Sequence, residues 1–180
     1  MQWFKNTPPL IKVPFRYGVI AGLIGFVLLV SLYYMDRHPL LVPPQFDFRI
    51  VMFIVFLIFI LRELREYYFE GLLFFWQGMS ASFIFTFVFA LTASTLLLIF
   101  TYWKPEFSTS FIQLSLEQIK TYSPEDINKL GKDVYNEVVR NIGLTSGYFI
   151  AKRYFFQSFL ISFLISIVIS VILRRQPKSL

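Results

Sequence analysis

The sequence predicts an all-α membrane protein with four transmembrane helices and a helical extracytoplasmic loop between spans three and four. Three observations carry this expectation. Apolar side chains make up 56% of the 180 residues and charged ones only 16%, well outside the average soluble composition. The apolar residues are blocked into long runs, not spread with helical or strand period, which favours spans over a soluble core. Small residues recur at every fourth position along the third and fourth runs, with glycines close together in the first. In lipid, which gives helices no hydrophobic push toward each other, such spacing lets backbones approach closely.

The first span, residues 17–35, follows Lys5, Lys12 and Arg16 and carries Gly18, Gly22 and Gly25. It ends in Tyr33-Tyr34-Met35-Asp36 with no small-residue cleavage site, so it reads as a retained helix and not a signal peptide. Pro39 and the Pro43-Pro44 pair then stop the helix and make a short polar hairpin. The second span, 48–64, is uninterrupted only from Ile50 to Leu61, short for a crossing, and Arg49 and Arg62 at its flanks are placed to snorkel. Arg62, Glu66 and Glu70 continue it as charged turns, with Gly71 as a stop, and Glu63 and Glu66 have Arg62 and Arg65 as ion-pair partners. With no Gly, Ala, Ser or Thr between Ile50 and Leu61, this span is expected to face lipid at the periphery of a four-helix bundle.

The third span, 78–102, places Gly78, Ser82, Thr86, Ala90 and Ser94 in one ladder between Trp76 and the interfacial pair Tyr102-Trp103. The loop 104–153 is the one sizeable polar region. Ser123-Pro124-Glu125-Asp126 reads as an N-cap with proline in the first turn and an acid at the capping-box position. Ile127, Leu130, Val134, Val138 and Ile142 then recur at helical spacing, predicting one amphipathic helix that ends at Gly143, after a weaker helical stretch from Thr109 to Tyr122. The loop is thus a structured cap. The fourth span, 154–173, carries Ser158, Ser162, Ser166 and Ser170 and is followed by Arg174 and Arg175. The whole chain, 1–180, reads as a single membrane domain.

Charge orients the chain. With four spans, Lys5, Lys12, Arg16, Arg62, Arg65, Arg174, Arg175 and Lys178 share one side with only Glu63, Glu66 and Glu70. The positive-inside rule makes that side cytoplasmic, with both termini there, in a bacterial inner membrane. Three spans would put the two basic termini in opposite compartments. Lys152 and Arg153 are the discordant pair, candidates with Arg174 and Arg175 for lipid-headgroup contact.

Reactive chemistry is sparse. There is no cysteine, and His38 is the one histidine, read as a solvated loop residue. No ionisable residue falls in the middle of a run, which argues against an ion-coupled transporter. The expectation is a non-enzyme with no catalytic, cofactor or metal site. Its partners are the bilayer, anionic headgroups on the cytoplasmic side, and other membrane subunits or further copies of itself. The net charge of +6 sits at span ends and not on a helix face interleaved with aromatics, so nucleic acid is excluded. The serine ladder is read as packing, with each hydroxyl bonding its own i−4 carbonyl or a neighbouring helix. The alternative is a small transporter or channel for lipid or an uncharged solute, using the hydroxyl-lined faces.

The stretch Tyr17-Gly18-Val19-Ile20-Ala21-Gly22-Leu23-Ile24-Gly25, the link Tyr67-Tyr68-Phe69-Glu70-Gly71 with Trp76-Gln77-Gly78, and the ending Ile172-Leu173-Arg174-Arg175 resemble a family of small four-span membrane proteins best known from Bacteroidota. That family is a domain of unknown function. The resemblance implies the architecture and the inner membrane, and it carries over no catalytic or binding residue.

Overall fold

Proline sets the start of the first helix earlier than hydropathy does. In the computed structural model, which describes residues 7–35, 38–43 and 46–176, α1 spans Pro9–Tyr34, its first proline needing no N–H bond in the first turn. A single 3₁₀ turn, Pro39–Leu41, follows. α2 (Phe48–Glu63) is capped by Asp47, whose side chain accepts from the Arg49 amide at 3.0 Å, and it runs on through a π-helical turn, Leu64–Tyr68. α3 (Phe75–Trp103) begins where Gln77 Oε1 accepts from the Phe74 amide at 2.9 Å. The connecting segment contains α4 (Pro105–Lys120), α5 (Pro124–Leu130) and α6 (Lys132–Gly143), and α7 (Gly147–Leu173) closes the chain. Lys5, Asp36, Arg37, Pro44 and Lys178, which entered the reading of the hairpin and of charge, lie outside the described residues.

The capping box forms as the sequence indicates: Ser123 Oγ accepts from the Asp126 amide at 3.2 Å, and Asp126 Oδ2 accepts from the Ser123 amide at 3.4 Å. The single amphipathic helix beyond it does not. Gly131 adopts φ +90°, ending α5 and starting α6, so the apolar period continues across a break in the axis.

Among the described residues, α1, α3 and α7 are long and apolar enough to cross a membrane. They pack in fixed registers. Gly18 faces Val88 and Gly22 faces Thr92, so α1 and α3 run parallel. Gly78 faces Ser170, Thr86 bonds Ser162 and Gly147 faces Thr101, a strictly antiparallel register along α3 and α7. α2 runs with α7, from an Arg49–Ser158 bond to an Arg65–Leu173 bond. One end of the helical core, here termed proximal, gathers Arg16, Glu63, Leu73 and Arg175, whose backbone pairs with Leu73 in both directions at 2.8 and 2.9 Å. The distal end gathers Tyr33, His38, Asp47, Phe107 and Gly147.

α2 corrects an expectation. Phe53, Leu57, Ile60, Leu61 and Leu64 are completely buried, while only its other face, with Val51, Val55 and Phe59, is exposed. Its rings fill space instead of opening it: Phe53 lies 4.9 Å from Phe89 and 6.1 Å from Phe85, edge-on to both. Bulky side chains let a helix pack as well as small ones do, at a larger separation. One proximal ion pair differs from the sequence reading and the other, Glu66 with Arg65, matches it. Glu63 takes Arg16 of α1 at 2.7 Å and the Tyr17 hydroxyl at 2.8 Å, and Glu66 pairs with Arg65 at 3.1 Å.

Candidate functional site

The α3–α7 seam is built from small residues because the backbones meet there. Ser82, Ser158, Ser162, Ser166 and Ser170 are buried, as are Thr86, Ala90 and Ser94. Ser82 donates to the Gly78 carbonyl at 2.8 Å, Thr86 to Ser82 at 2.8 Å, Ser158 to Tyr154 at 2.8 Å, Ser166 to Ser162 at 2.6 Å and Ser94 to Leu91 at 3.3 Å. Because the one Thr86 proton goes to Ser82, the bond across the seam is donated by Ser162 to Thr86 Oγ1. Ser170 Oγ is buried without a partner beside Gly78. The glycines of α1 form the second seam: a methyl group at Gly18 would stand 3.0 Å from the Phe85 carbonyl oxygen, and Gly25 sits on the Phe89 ring.

Ser162→Ala is therefore expected to cost only about 0.6 kcal/mol, the average for a hydrogen bond between membrane helices. Thr86 keeps its backbone bond in this variant, and reversible unfolding in detergent measures the difference.

Toward the distal end, a polar cluster replaces the expected snorkelling arginine. The Arg49 residue is 6% exposed. Its Nε donates to both Asp47 oxygens at 2.9 Å, its Nη1 donates to Ser158 Oγ at 3.2 Å, and its guanidinium carbon lies 4.6 Å from the centre of the Tyr154 ring. Tyr154 Oη is buried with no partner. The cluster thus joins the start of α2 to the serine ladder of α7. Sequence reasoning missed it. The available signal was Asp47-Phe48-Arg49, an N-cap acid two residues before a base at the mouth of a span.

His38 is also not solvated. It is 8% exposed, with its ring 4.6 Å from Phe107, 5.4 Å from Phe111 and 6.2 Å from Tyr33. Buried Phe107 and Phe111 belong to α4, so this nest docks the first two turns of α4 onto the distal end.

The four candidate headgroup residues, Lys152, Arg153, Arg174 and Arg175, are all exposed, with Arg153 lying 5.9 Å from the Phe111 ring. Between α3 and α7, on the surface, an open apolar groove of about 400 Å³ is lined by Met79, Phe83, Phe159 and Phe163 with Thr86 and Ser166 below. Among the described residues, no three His, Cys, Asp or Glu side chains come together as a metal site would need.

Three long apolar helices packed through small-residue seams define an all-helical, multi-pass membrane protein. Residues 16–175 match the family model described as protein of unknown function (DUF4199), and the chain belongs to that family. It matches no curated protein and no solved structure.

Proposed function

We propose that the chain is a four-span protein of the bacterial inner membrane with both termini cytoplasmic, serving as a non-enzymatic accessory or scaffold subunit. The observation that carries this reading is where the seam hydroxyls go. They are buried between α3 and α7 and, apart from Ser170, bonded to carbonyls of their own helix or to each other, which is packing and leaves no continuous polar track. That favours a scaffold over a transporter for lipid or an uncharged solute. The fourth crossing is supported by α2, which accompanies α7 from Ser158 to Leu173 and buries one whole face. With four crossings in a four-helix bundle, the proximal end is the basic, cytoplasmic side. The surfaces left for partners, whether other membrane subunits or further copies of this chain, are the aromatic groove of α3 and α7 and the exposed helices α5 and α6.

Affinity purification from native membranes in mild detergent tests the role. The expected result is a stoichiometric partner or a self-associated complex, and a strictly monomeric species with nothing bound overturns it. Topology is read separately, because the chain lacks cysteine. In whole cells an impermeant maleimide should label Thr109→Cys and Glu125→Cys, and should label Tyr67→Cys only after lysis. A further reporter, the exposed Phe46→Cys just before α2, should label in intact cells, and Phe46→Cys behaving as Tyr67→Cys does removes the fourth crossing.

A further inference from the structure

We propose that His38 is a proton-operated latch: the neutral ring holds α4 across the distal end of the helical core, and protonation of the ring releases α4. The geometry leaves room for one proton on this ring and not for two. His38 Nε2 lies 3.2 Å from the Phe107 carbonyl oxygen, which can only accept, so Nε2 carries the hydrogen. Nδ1 is buried with no partner. A bare acceptor nitrogen among aromatic rings is tolerable. A second proton would put an unpaired N–H and a net charge into the same nest, and a buried charge without a partner is far more costly.

Among the described residues, the groups around the ring offer that charge no compensation. α1 contributes Tyr33, α4 contributes Phe107 and Phe111, and the 3₁₀ turn that follows His38 has no titratable side chain. From α7 the approaching group is a cation, Arg153, against the Phe111 ring. Burial lowers the affinity of the ring for its second proton below the ordinary histidine value, with the Phe107 carbonyl bond opposing.

Release follows because the ring sits at the centre of what docks α4, beside Tyr33 and Phe100, which lie 5.0 and 5.5 Å from Phe107. The buried side chains of α4 are Phe107, Phe111 and Ser115, and two of these three lie against His38. Above the ordinary histidine value of about 6.5, latched and released rings are both neutral and pH has no effect. Below it, the released ring takes up a proton that the latched ring refuses. Opening then grows by up to about tenfold per pH unit until the latched ring itself titrates.

The test uses the full chain in nanodiscs. Maleimide reactivity of S115C, buried on α4, is compared with that of exposed T109C, so that the pH dependence of the thiol chemistry cancels. The ratio is expected to rise about tenfold between pH 7.5 and 5.5, the one unit below 6.5 over which opening grows. In H38Q, whose amide N–H still serves the Phe107 carbonyl but cannot titrate, the ratio should stay flat. A flat ratio with His38 present, or an equal rise in H38Q, overturns the latch. Since His38 is the sole histidine, ¹⁵N-histidine spectra of the otherwise unaltered protein give a second reading. They should show the Nε2–H tautomer with a midpoint below about 6.5, and an Nδ1–H tautomer or a higher midpoint overturns the proposal.

Discussion

Asp47→Ala should destabilise the protein by about 3–5 kcal/mol, the range for removing one partner of a buried ion pair. Asp47 does two things at once. It caps α2 through the Arg49 amide, and it takes the charge of the Arg49 guanidinium on both oxygens. Loss of the cap alone costs about 1 kcal/mol. The remainder comes from Arg49, which is buried, held by Ser158 and the Tyr154 ring, and among the described residues has no second anion to turn to. Asp47→Asn retains the cap and a hydrogen bond to the guanidinium but not the charge, and should fall between the two proteins. The decisive comparison is the double variant Asp47→Ala/Arg49→Met, which replaces the pair by apolar surface and is expected to recover most of the loss. Reversible unfolding in mixed micelles reads all four proteins. An Asp47→Ala cost under about 1 kcal/mol, typical of an exposed pair, would sink the claim that Arg49 is charged and enclosed.

How much of this was legible in the sequence depends on which force does the sorting. Between spans, lipid is as oily as leucine, so hydropathy does not say which face of a helix turns inward. The seams of α1, α3 and α7 could be read because close approach requires small residues, and Gly18, Gly22, Gly78 and the serines announce themselves by spacing. The packed face of α2 could not, since Phe53, Leu57 and Leu61 look the same whether they meet lipid or Phe85 and Phe89. The same absence of small residues that suggested a lipid-facing helix marks one that fills a groove with rings.

Polar residues failed for the converse reason. Arg49 at a span end and His38 in a hairpin have an easy solvated reading, and burial depends on tertiary partners that arrive much later in the chain: Ser158 and Tyr154 for Arg49, Phe107 and Phe111 for His38. In the connecting segment, local chemistry was readable and geometry was not. The capping box at Ser123 is written within four residues. The break at Gly131 needs a positive φ that an intact apolar period from Ile127 to Ile142 conceals.

The seam of α1 with α3 sets the other large effect: Gly22→Leu should cost more than about 3 kcal/mol, beyond the usual range for overpacking, and abolish the native fold in harsh detergent. The argument is one of immovable neighbours. A Cβ at Gly22 would stand 2.7 Å from Thr92 Cβ and 3.2 Å from the Phe89 carbonyl oxygen, and at Gly18 it would stand 2.8 Å from Val88 Cβ. None of these is the flexible tip of a side chain, so relief requires α1 and α3 to separate along the whole seam. Even Gly22→Ala is then expected to lose about 2 kcal/mol. Thr92→Ala should not rescue it, because the clashing Cβ remains, whereas Thr92→Gly should return a good part of the loss. Gly143→Ala provides the contrast, since a Cβ there meets nothing within 4 Å, and it should leave the unfolding midpoint where it was. Equal behaviour of Gly22→Ala and Gly143→Ala would mean that the two helices do not touch through these glycines. Rescue by Thr92→Gly but not by Thr92→Ala would locate the contact to a single carbon atom on α3.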